Sequence, residues 1–331
     1  MTCTKNIKRT ILRKYGRCAW LIMQKTGYLN TLIQSKQYLF KRLLLKNIDN
    51  APVLEKCAPQ MSEEEICLFH RSVLNGDDYF GILHRTSCLG IRERRAAPVV
   101  RFADGEYAFY NYDLLCNGLY QQAESVGAIK KAMPSHITAL KKLAQIGKLA
   151  PLIFPGNVTR KAKGFFTFFR MSKEASSAST FMDLLYSNGI ELTAENYMPF
   201  YAIYAYLTSE EFLRLVDVKN VCILNSEFNK DSCMRWFNRF SSRPHLSFVE
   251  IPAEYIATRW DFMKEDLLQQ IPPDTDICLV GAGIGALSVC VDVAERFSIP
   301  AIDAGHVLNM MNDRIDKSNG ARLYTIRKPG P

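Results

Sequence analysis

Short apolar segments alternate with amphipathic segments from about residue 200 to the end of the chain. The apolar segments are bounded by turn residues, as strands are, whereas the others repeat their apolar positions at helical spacing. The predicted elements are, in chain order, strand Tyr201–Leu207, a helix from Ser209, strand Val221–Leu224, helix Asp231–Phe240, strand Leu246–Ile251, helix Arg259–Gln270, strand Asp276–Val280, helix Ala286–Phe297 and strand Pro300–Asp303. This alternation predicts βαβ units, and therefore an α/β fold with a mostly parallel sheet and flanking helices.

The pattern upstream predicts one more strand–turn–helix unit. Strand Pro98–Phe102 precedes the acidic turn Ala103–Glu106 and a helix rich in aromatic residues. Residues 121–149 are predicted to be helical with Ser135 as N-cap, and Leu152–Phe154 to be a brief strand. Ligands of parallel sheets bind beyond the carboxyl ends of the strands. The segments predicted at such ends are 103–106, 225–227, 281–285 and 303–306.

The first 48 residues differ from the rest in charge. They contain eleven Lys and Arg and no Asp or Glu, within a chain of 331 residues whose net charge is +9. Their apolar residues Ile7, Ile11, Tyr15 and Cys18 share one helical face. A basic helix with an apolar stripe is more typical of a membrane interface than of a DNA groove. We therefore expect residues 1–48 to bind an anionic membrane surface, and no nucleic acid as partner. Packing of the stripe on the rest of the protein is the open alternative.

Composition indicates a globular protein, with 48% hydrophobic and 23% charged residues. No apolar run approaches the roughly 18 residues of a membrane span. The ten cysteines form no C-x-x-C pair and the five histidines are scattered, which argues against a zinc site and for a reducing compartment. We expect a cytoplasmic protein, with peripheral attachment to the inner face of the cell membrane as a further expectation. Its predicted parts are a basic amphipathic helical extension, residues 1–55, and a globular domain, residues 56–331.

A glycine-rich turn follows the predicted strand Asp276–Val280. The sequence Gly281-Ala-Gly283-Ile-Gly285-Ala opens a helix and fits the dinucleotide fingerprint, with Asp303 about 20 residues beyond Gly283. A nicotinamide or S-adenosylmethionine enzyme is therefore one interpretation, although only 46 residues follow Gly285, too few for the rest of such a fold. Such a turn can also bind phosphate through backbone N–H groups, or serve only close helix–strand packing.

The acidic turn places two carboxylates two residues apart. Asp104 and Glu106 flank Gly105, and oxygen ligands of this kind suit a hard cation such as Mg²⁺ or Mn²⁺. A solvated turn without function is the alternative.

Three segments resemble the GT-D-type glycosyltransferase family. Arg101-Phe-Ala-Asp-Gly-Glu106 is similar to that family's R-F-G-D-G-E segment with its D-x-E motif. The segment from Asp276 to His306 is similar to its late strand, turn, helix and strand, which end in A-I-D-x-G-H. Ile251–Trp260 is a weaker third match. Together they span about residues 98 to 308. Ala103 replaces the family's glycine, and the turn at 281–286 replaces its more common G-P-T-A.

The resemblance implies a Rossmann-like enzyme, with residues 56–331 as its domain, that transfers a sugar from a UDP-sugar with Mn²⁺ or Mg²⁺. It implies metal ligation and catalysis by Asp104 and Glu106, and a place for His306 in the late motif. Donor binding is assigned to a second group of residues: Arg101, Arg160, Gly281, Gly283, Gly285 and Asp303.

The acceptor hydroxyl needs a base, and two candidates stay open. Asp104 qualifies if it is not a metal ligand, and His306 has an imidazole suited to proton transfer; His306 could instead only hold Asp303 or the turn. We expect a glycosyltransferase that acts on a precursor of a cell-surface polysaccharide or glycoconjugate, which could be lipid-linked. The alternatives are a non-catalytic nucleotide- or phosphate-binding module, and the nicotinamide or S-adenosylmethionine enzyme.

Overall fold

The computed structural model describes residues 76–312, apart from 115–121, 153–177, 191, 194, 199, 208 and 239–241. A six-stranded sheet lies at its centre, with the order β2-β1-β6-β5-β3-β4 and every neighbouring pair parallel. The strands are β1 (Ala97–Phe102), β2 (Lys148–Pro151), β3 (Asn220–Asn225), β4 (His245–Glu250), β5 (Ile277–Gly281) and β6 (Pro300–Asp303). The prediction of an α/β fold with a mostly parallel sheet is confirmed.

Burial explains why the inner strands read as continuous apolar runs. Every residue of β1 and β6 is buried, because helices cover the sheet, whereas most of the edge strand β4 is exposed or partly exposed. The helices in the described part are α1 (Gly76–Glu93), α2 (Asp104–Tyr110), α3 (Val126–Ile146), α4 (Ala178–Ser187), α5 (Phe200–Leu207), α6 (Glu210–Leu215), α7 (Lys230–Asn238), α8 (Ile256–Leu268), α9 (Ala286–Phe297) and α10 (His306–Met311).

The helices flank the sheet in groups. Helices α3, α8 and α9 pack against one another, and α9 also lies against β1, β5 and β6. Helix α1 contacts β1, β6 and α5, and α5 contacts α6. The predicted bounds of α9 and β6 are confirmed, since strong amphipathic or buried patterns end there at clear turn residues.

The predicted strand Tyr201–Leu207 is wrong, because this segment belongs to helix α5. Ala202, Ile203, Tyr206 and Leu207 are all buried. The segment has no polar residues at helical spacing, so its apolar run cannot be distinguished by periodicity from a buried strand.

One further prediction, at the start of α3, is wrong. Ser135 lies inside α3 rather than at its start, and its hydroxyl donates to Asp261 Oδ2 at 2.6 Å. The N-cap is Ser125, whose hydroxyl accepts from the backbone N–H of Ala128 at 3.0 Å. Packing of the apolar face carries the helix through Pro134, despite the hydrogen bond that proline removes. The described strand nearby is β2, which ends at Pro151; Leu152 lies outside it, and the rest of the predicted strand Leu152–Phe154 lies outside the described residues.

The basic extension, residues 1–55, lies outside the described residues, and its division from residues 56–331 stays a prediction. In the part of the chain that the structure describes, no helix is long and apolar enough to cross a membrane. The cysteines described there, Cys88, Cys222, Cys233, Cys278 and Cys290, are free thiols, and all but Cys88 are buried.

Candidate active site at the carboxyl edge of the sheet

A cavity of about 370 Å³ lies at the carboxyl ends of four neighbouring strands, β1, β6, β5 and β3. The chain passes from β5 to β6, toward the β2 edge of the sheet, whereas it passes from the neighbouring β3 to β4 at the opposite edge, so β5 and β3 border the point where the strand order reverses. The volume is within the range of small-molecule sites, about 300–1,000 Å³. Its lining residues come from strand ends and the segments after them: Arg101, Ala103, Asp104, Gly105, Glu106, Gln122, Phe200, Tyr204, Asn225, Ser226, Gly281, Gly283, Ile284, Asp303, Gly305, His306 and Asn309.

The acidic turn begins helix α2 directly after β1. Asp104 is exposed at the first position of the helix, and Glu106 is partly buried two residues later. One carboxylate oxygen of Glu106 accepts the backbone N–H of Ala103 at 2.7 Å, which holds the side chain back over the helix start. Both carboxylates also lie in the first turn, where the helix dipole favours negative charge.

Glu106 has the properties of a proton-transfer group. The pKa of Glu106 is raised to about 7, chiefly by burial and also by the nearby charge of Asp303, against the opposing effects of the hydrogen bond from Ala103 and the charge of Arg101. A carboxyl that titrates near neutral pH can take or release a proton under ordinary conditions.

Arg101 and Asp303 form a buried ion pair in the floor of the cavity. Their side chains are 8% and 5% exposed, and Arg101 Nη2 lies 2.7 Å from Asp303 Oδ1. Burial disfavours the charge of Arg101, but Asp303 and the hydroxyl of Tyr204 raise the pKa of Arg101 above its ordinary value. Because unpaired buried charges are costly, each partner depends on the other.

Helix α5 supplies an aromatic wall beside this pair. The guanidinium of Arg101 lies 4.3 Å from the ring centroid of Tyr204 and 5.2 Å from that of Phe200, and it donates to the Tyr204 hydroxyl. Phe200 and Tyr204 are four residues apart and so share one face of α5. In an extended strand these two residues would lie roughly 13 Å apart, too far for both rings to contact one guanidinium.

The three glycines to which donor binding was assigned, Gly281, Gly283 and Gly285, have different surroundings. Gly281 and Gly283 line the cavity, and Gly283 has a φ of +53°. Gly285 is buried beneath α8, where an added Cβ would lie 2.2 Å from Ile256 Cγ2. Gly285 therefore allows close packing against α8. This is the interpretation of the glycine turn that requires no ligand. The turn Gly283–Gly285 leads into the N-terminus of α9, so Gly283 is where backbone N–H groups could meet an anion.

His306 lines the cavity at the first position of α10. Its Nδ1 lies 3.5 Å from Asn309 Nδ2, and its ring centroid lies 6.4 Å from that of Tyr204. Asn309 therefore helps to orient the imidazole of His306. Both roles proposed for His306 are compatible with this place.

Seven of the predicted residues thus meet at one cavity: Arg101, Asp104, Glu106, Gly281, Gly283, Asp303 and His306. Arg160 lies outside the described residues, and its donor-binding role stays a prediction. Asn225 and Ser226 lie in a segment predicted at a strand end, whereas Gln122, Phe200, Tyr204 and Asn309 carried no motif. A search for polar or aromatic residues one helical turn from a motif residue would have found Asn309, three residues after His306.

Metal ligands from the protein are few. Among the residues that the structure describes, no group of three or more His, Cys, Asp or Glu side chains could hold a metal ion. Asp104 and Glu106 could contribute at most two carboxylates. This donor set suits Mg²⁺ or Mn²⁺, which take much of their coordination from water and substrate phosphates.

Comparisons with known proteins add one distant likeness. No family model and no curated protein matches the chain. A solved structure described by the words "The highly conserved domain of unknown function 1792 has a distinct glycosyltransferase fold" is 16% identical, covering 70% of this chain and 83% of that chain with a TM-score of 0.39. A likeness this distant assigns neither a substrate nor a reaction to the protein.

Proposed function

We propose that the protein is a metal-assisted glycosyltransferase that moves a sugar from a nucleoside diphosphate sugar, in the first instance a UDP-sugar, to a glycan acceptor. The observation that carries this proposal is the meeting of three distant segments at one cavity. Segments 103–106, 281–284 and 303–306 each contribute lining residues. These segments contain the motifs that resemble the GT-D-type family, and an accidental resemblance would not require them to share a site.

The charge of the lining supports a requirement for a divalent cation. Among the described lining residues, Asp104, Glu106 and Asp303 are acidic, and Arg101 is the one lysine or arginine. Arg101 is already paired with Asp303. A diphosphate would therefore meet two further carboxylates, and the repulsion would oppose binding unless a cation lay between them. Asp104 and Glu106 would hold Mn²⁺ or Mg²⁺, which when bound neutralises the charge of the leaving diphosphate.

The glycine turn supports the same assignment from the other side of the cavity. The start of α9 follows Gly283–Gly285 and carries the positive end of a helix dipole. Backbone N–H groups there can donate to phosphate oxygens without bringing in a side chain. Gly283 is exposed, with a positive φ that L side chains rarely adopt. A substrate phosphate could thus approach this backbone closely.

Proton transfer from the acceptor hydroxyl has three candidates in this cavity. Asp104 is exposed, His306 lies at the opposite turn, and burial raises the pKa of Glu106 to about 7. The transfer forms a bond between the acceptor oxygen and the anomeric carbon, breaks the bond to the diphosphate and releases one proton to the base. A carboxylate that binds the cation is a poor base, so His306 and whichever carboxylate does not bind the cation are the stronger candidates.

The basic, amphipathic sequence of residues 1–48 supports a proposal for the acceptor, namely a membrane-anchored glycan. An enzyme attached to the inner face of the cell membrane would meet acceptors anchored there, such as lipid-linked glycan precursors. Cytoplasmic location and membrane attachment belong to this proposal.

A thermal-shift panel tests the function. UDP-, GDP- and dTDP-sugars, NAD and S-adenosylmethionine are each added with Mn²⁺ and with EDTA. We expect UDP or a UDP-sugar to raise the melting temperature only with Mn²⁺, and Glu106→Gln to remove that response. Glu254→Gln, an exposed carboxylate outside the cavity, is the matched control and should respond like the wild type.

This panel and an assay of UDP release together separate the alternatives. Stabilisation by NAD or S-adenosylmethionine in EDTA, with none by nucleotide sugars, would refute the proposal in favour of a Rossmann-type cofactor enzyme. Stabilisation by UDP-sugars with no release of UDP in the presence of any tested glycan acceptor or of water would favour a binding module.

A further inference from the structure

Two turns that bear candidate catalytic residues line the cavity at the carboxyl ends of the adjacent strands β1 and β6. Strand β1 leads to Asp104 and Glu106, and its neighbour β6 leads to Gly305 and His306. The backbone pairing of these strands ends at Val99 and Ile302. Beyond that point β1 continues along β2, as far as Phe102 opposite Pro151. The ladder that aligns β1 with β6 therefore stops just before the two turns.

The side chains of Arg101 and Asp303 continue the connection beyond the ladder. The backbone N–H of Arg101 donates to Asp303 Oδ2 at 3.2 Å, Nε donates to the Asp303 carbonyl at 3.0 Å, and Nη2 donates to Oδ1 at 2.7 Å. Nη1 donates to the Tyr204 hydroxyl. Each guanidinium nitrogen thus has a protein acceptor, and a planar guanidinium held at several atoms is rigid.

The turn after β6 is shaped around the guanidinium. Gly305 has a φ of +42°, and an added Cβ would lie only 1.9 Å from Arg101 Nη2. Backbone at Gly305 therefore approaches the guanidinium more closely than a residue with a side chain could. The position of Arg101 and the course of the Gly305–His306 turn depend on each other.

We propose that Arg101 is a positioning residue, which holds the Asp104–Glu106 turn against the Gly305–His306 turn and does not bind donor phosphate. This inference deepens the proposed function, on which it rests for the ligand, although its structural part is independent of any ligand. It replaces the donor-binding role expected for Arg101 and Asp303 with a role inside the protein. Asp303 is the partner through which Arg101 acts, and Tyr204 fixes the remaining end of the guanidinium.

Three variants perturb the connection in different ways. Gly305→Ala displaces the guanidinium sterically without changing any charge. Arg101→Lys keeps the charge but loses the planar fork, and Tyr204→Phe removes only the hydroxyl acceptor while keeping the ring. The matched control is Gly189→Ala: Gly189 has a φ of +74°, and a Cβ there would meet nothing within 4 Å. It introduces comparable backbone strain away from the cavity.

Hydrogen exchange of the ligand-free protein is the first measurement. In folded Gly305→Ala and Arg101→Lys, we expect faster exchange in peptides that cover residues 97–110 and 300–311, with unchanged exchange in β3 and β4. Tyr204→Phe should give the same pattern to a smaller extent, and it provides the test if the other variants fail to fold. Gly189→Ala should leave both peptides unchanged. Unchanged exchange in all folded variants would overturn the proposal.

Binding of Mn²⁺ in the presence of UDP is the second measurement, followed by the electron paramagnetic resonance signal of the free ion. We expect Gly305→Ala and Arg101→Lys to weaken Mn²⁺ binding by about tenfold or more, as loss of residues that orient metal ligands commonly does. If Arg101 instead bound the donor phosphate, Arg101→Lys would weaken UDP binding but leave Mn²⁺ binding intact and hydrogen exchange at both turns normal. That result would also overturn the proposal. If wild-type protein binds neither UDP nor Mn²⁺, the proposed function fails, while the exchange experiment still decides the role of Arg101.

Discussion

Replacing Glu106 with glutamine should stabilise the metal-free protein at alkaline pH. Burial raises the pKa of Glu106 to about 7 from an ordinary value of 4.5. Between these values the folded protein binds a proton that the unfolded chain has released, so its stability falls as the pH rises through this window. Above pH 7 the folded protein carries the full cost of a buried carboxylate. Glutamine has no charge to bury, and its amide oxygen can still accept the N–H of Ala103.

The magnitude follows from the difference in proton affinity. A shift from 4.5 to about 7 corresponds to about 3 kcal/mol, at about 1.4 kcal/mol for each tenfold change in the proton-binding constant. Glu106 is only partly buried and water can relax around it, so this is an upper value for the stabilisation. For a domain of this size it corresponds to a rise in melting temperature of up to about 10 °C.

The assay is urea unfolding in EDTA at several pH values from 4 to 8.5. We expect the wild type and Glu106→Gln to be equally stable near pH 4, and the variant to gain steadily until about pH 7.5. Asp104→Asn removes an exposed carboxylate from the same turn and serves as control, and we expect no comparable gain from it. Equal stabilities at pH 8, or a gain of the same size at pH 4, would refute the reasoning that burial of this charge destabilises the protein. The stabilised variant should nevertheless fail to bind UDP with Mn²⁺.

Three other predictions test the packing, the buried histidine and the extension. Gly285→Ala should destabilise the protein by about 1–3 kcal/mol, since its Cβ would lie 2.2 Å from Ile256 Cγ2, whereas Gly127→Ala, with its nearest atom at 3.6 Å, should not lower the urea midpoint. Burial lowers the pKa of His136 below 6.5, so its contribution to stability is lost as the pH falls below that value; His136→Gln should flatten this dependence in urea titrations from pH 7.5 to 5, and an unchanged slope would contradict it. Full-length protein should cosediment with anionic but not neutral liposomes at low salt, and removal of residues 1–48 should abolish this and spare activity on a soluble acceptor. Failure of the full-length protein to bind, or misfolding of the truncated one, would contradict the membrane interpretation.

The sequence determined the order of the main elements from β3 onward and the ends of the strands that carry the motifs. Apolar runs bounded by turn residues are local signals, and β6 and α9 begin and end where these signals place them. The motifs also indicated the acidic and glycine turns, because a carboxylate pair or a glycine-rich turn is visible within six residues. No local signal of this kind identified α5 as a helix. Its apolar run is compatible with strand or helix, and the packing around Ala202 and Ile203 decided between them.

Only the tertiary structure decided what the motif residues contact. The parallel sheet brings the ends of β1 and β6 side by side although about 200 residues separate them, so Arg101 meets Asp303 and turns away from solvent. Gly285 belongs to helix packing while Gly283 lines the cavity, a difference set by where α8 lies and not by the spacing of the glycines. Burial, which depends on the whole fold, also raises the pKa of Glu106, and the exposed Asp104 two residues away shares its motif but not its environment. Spacing along the chain specifies which residues can act together, and their burial and partners specify which part each can take.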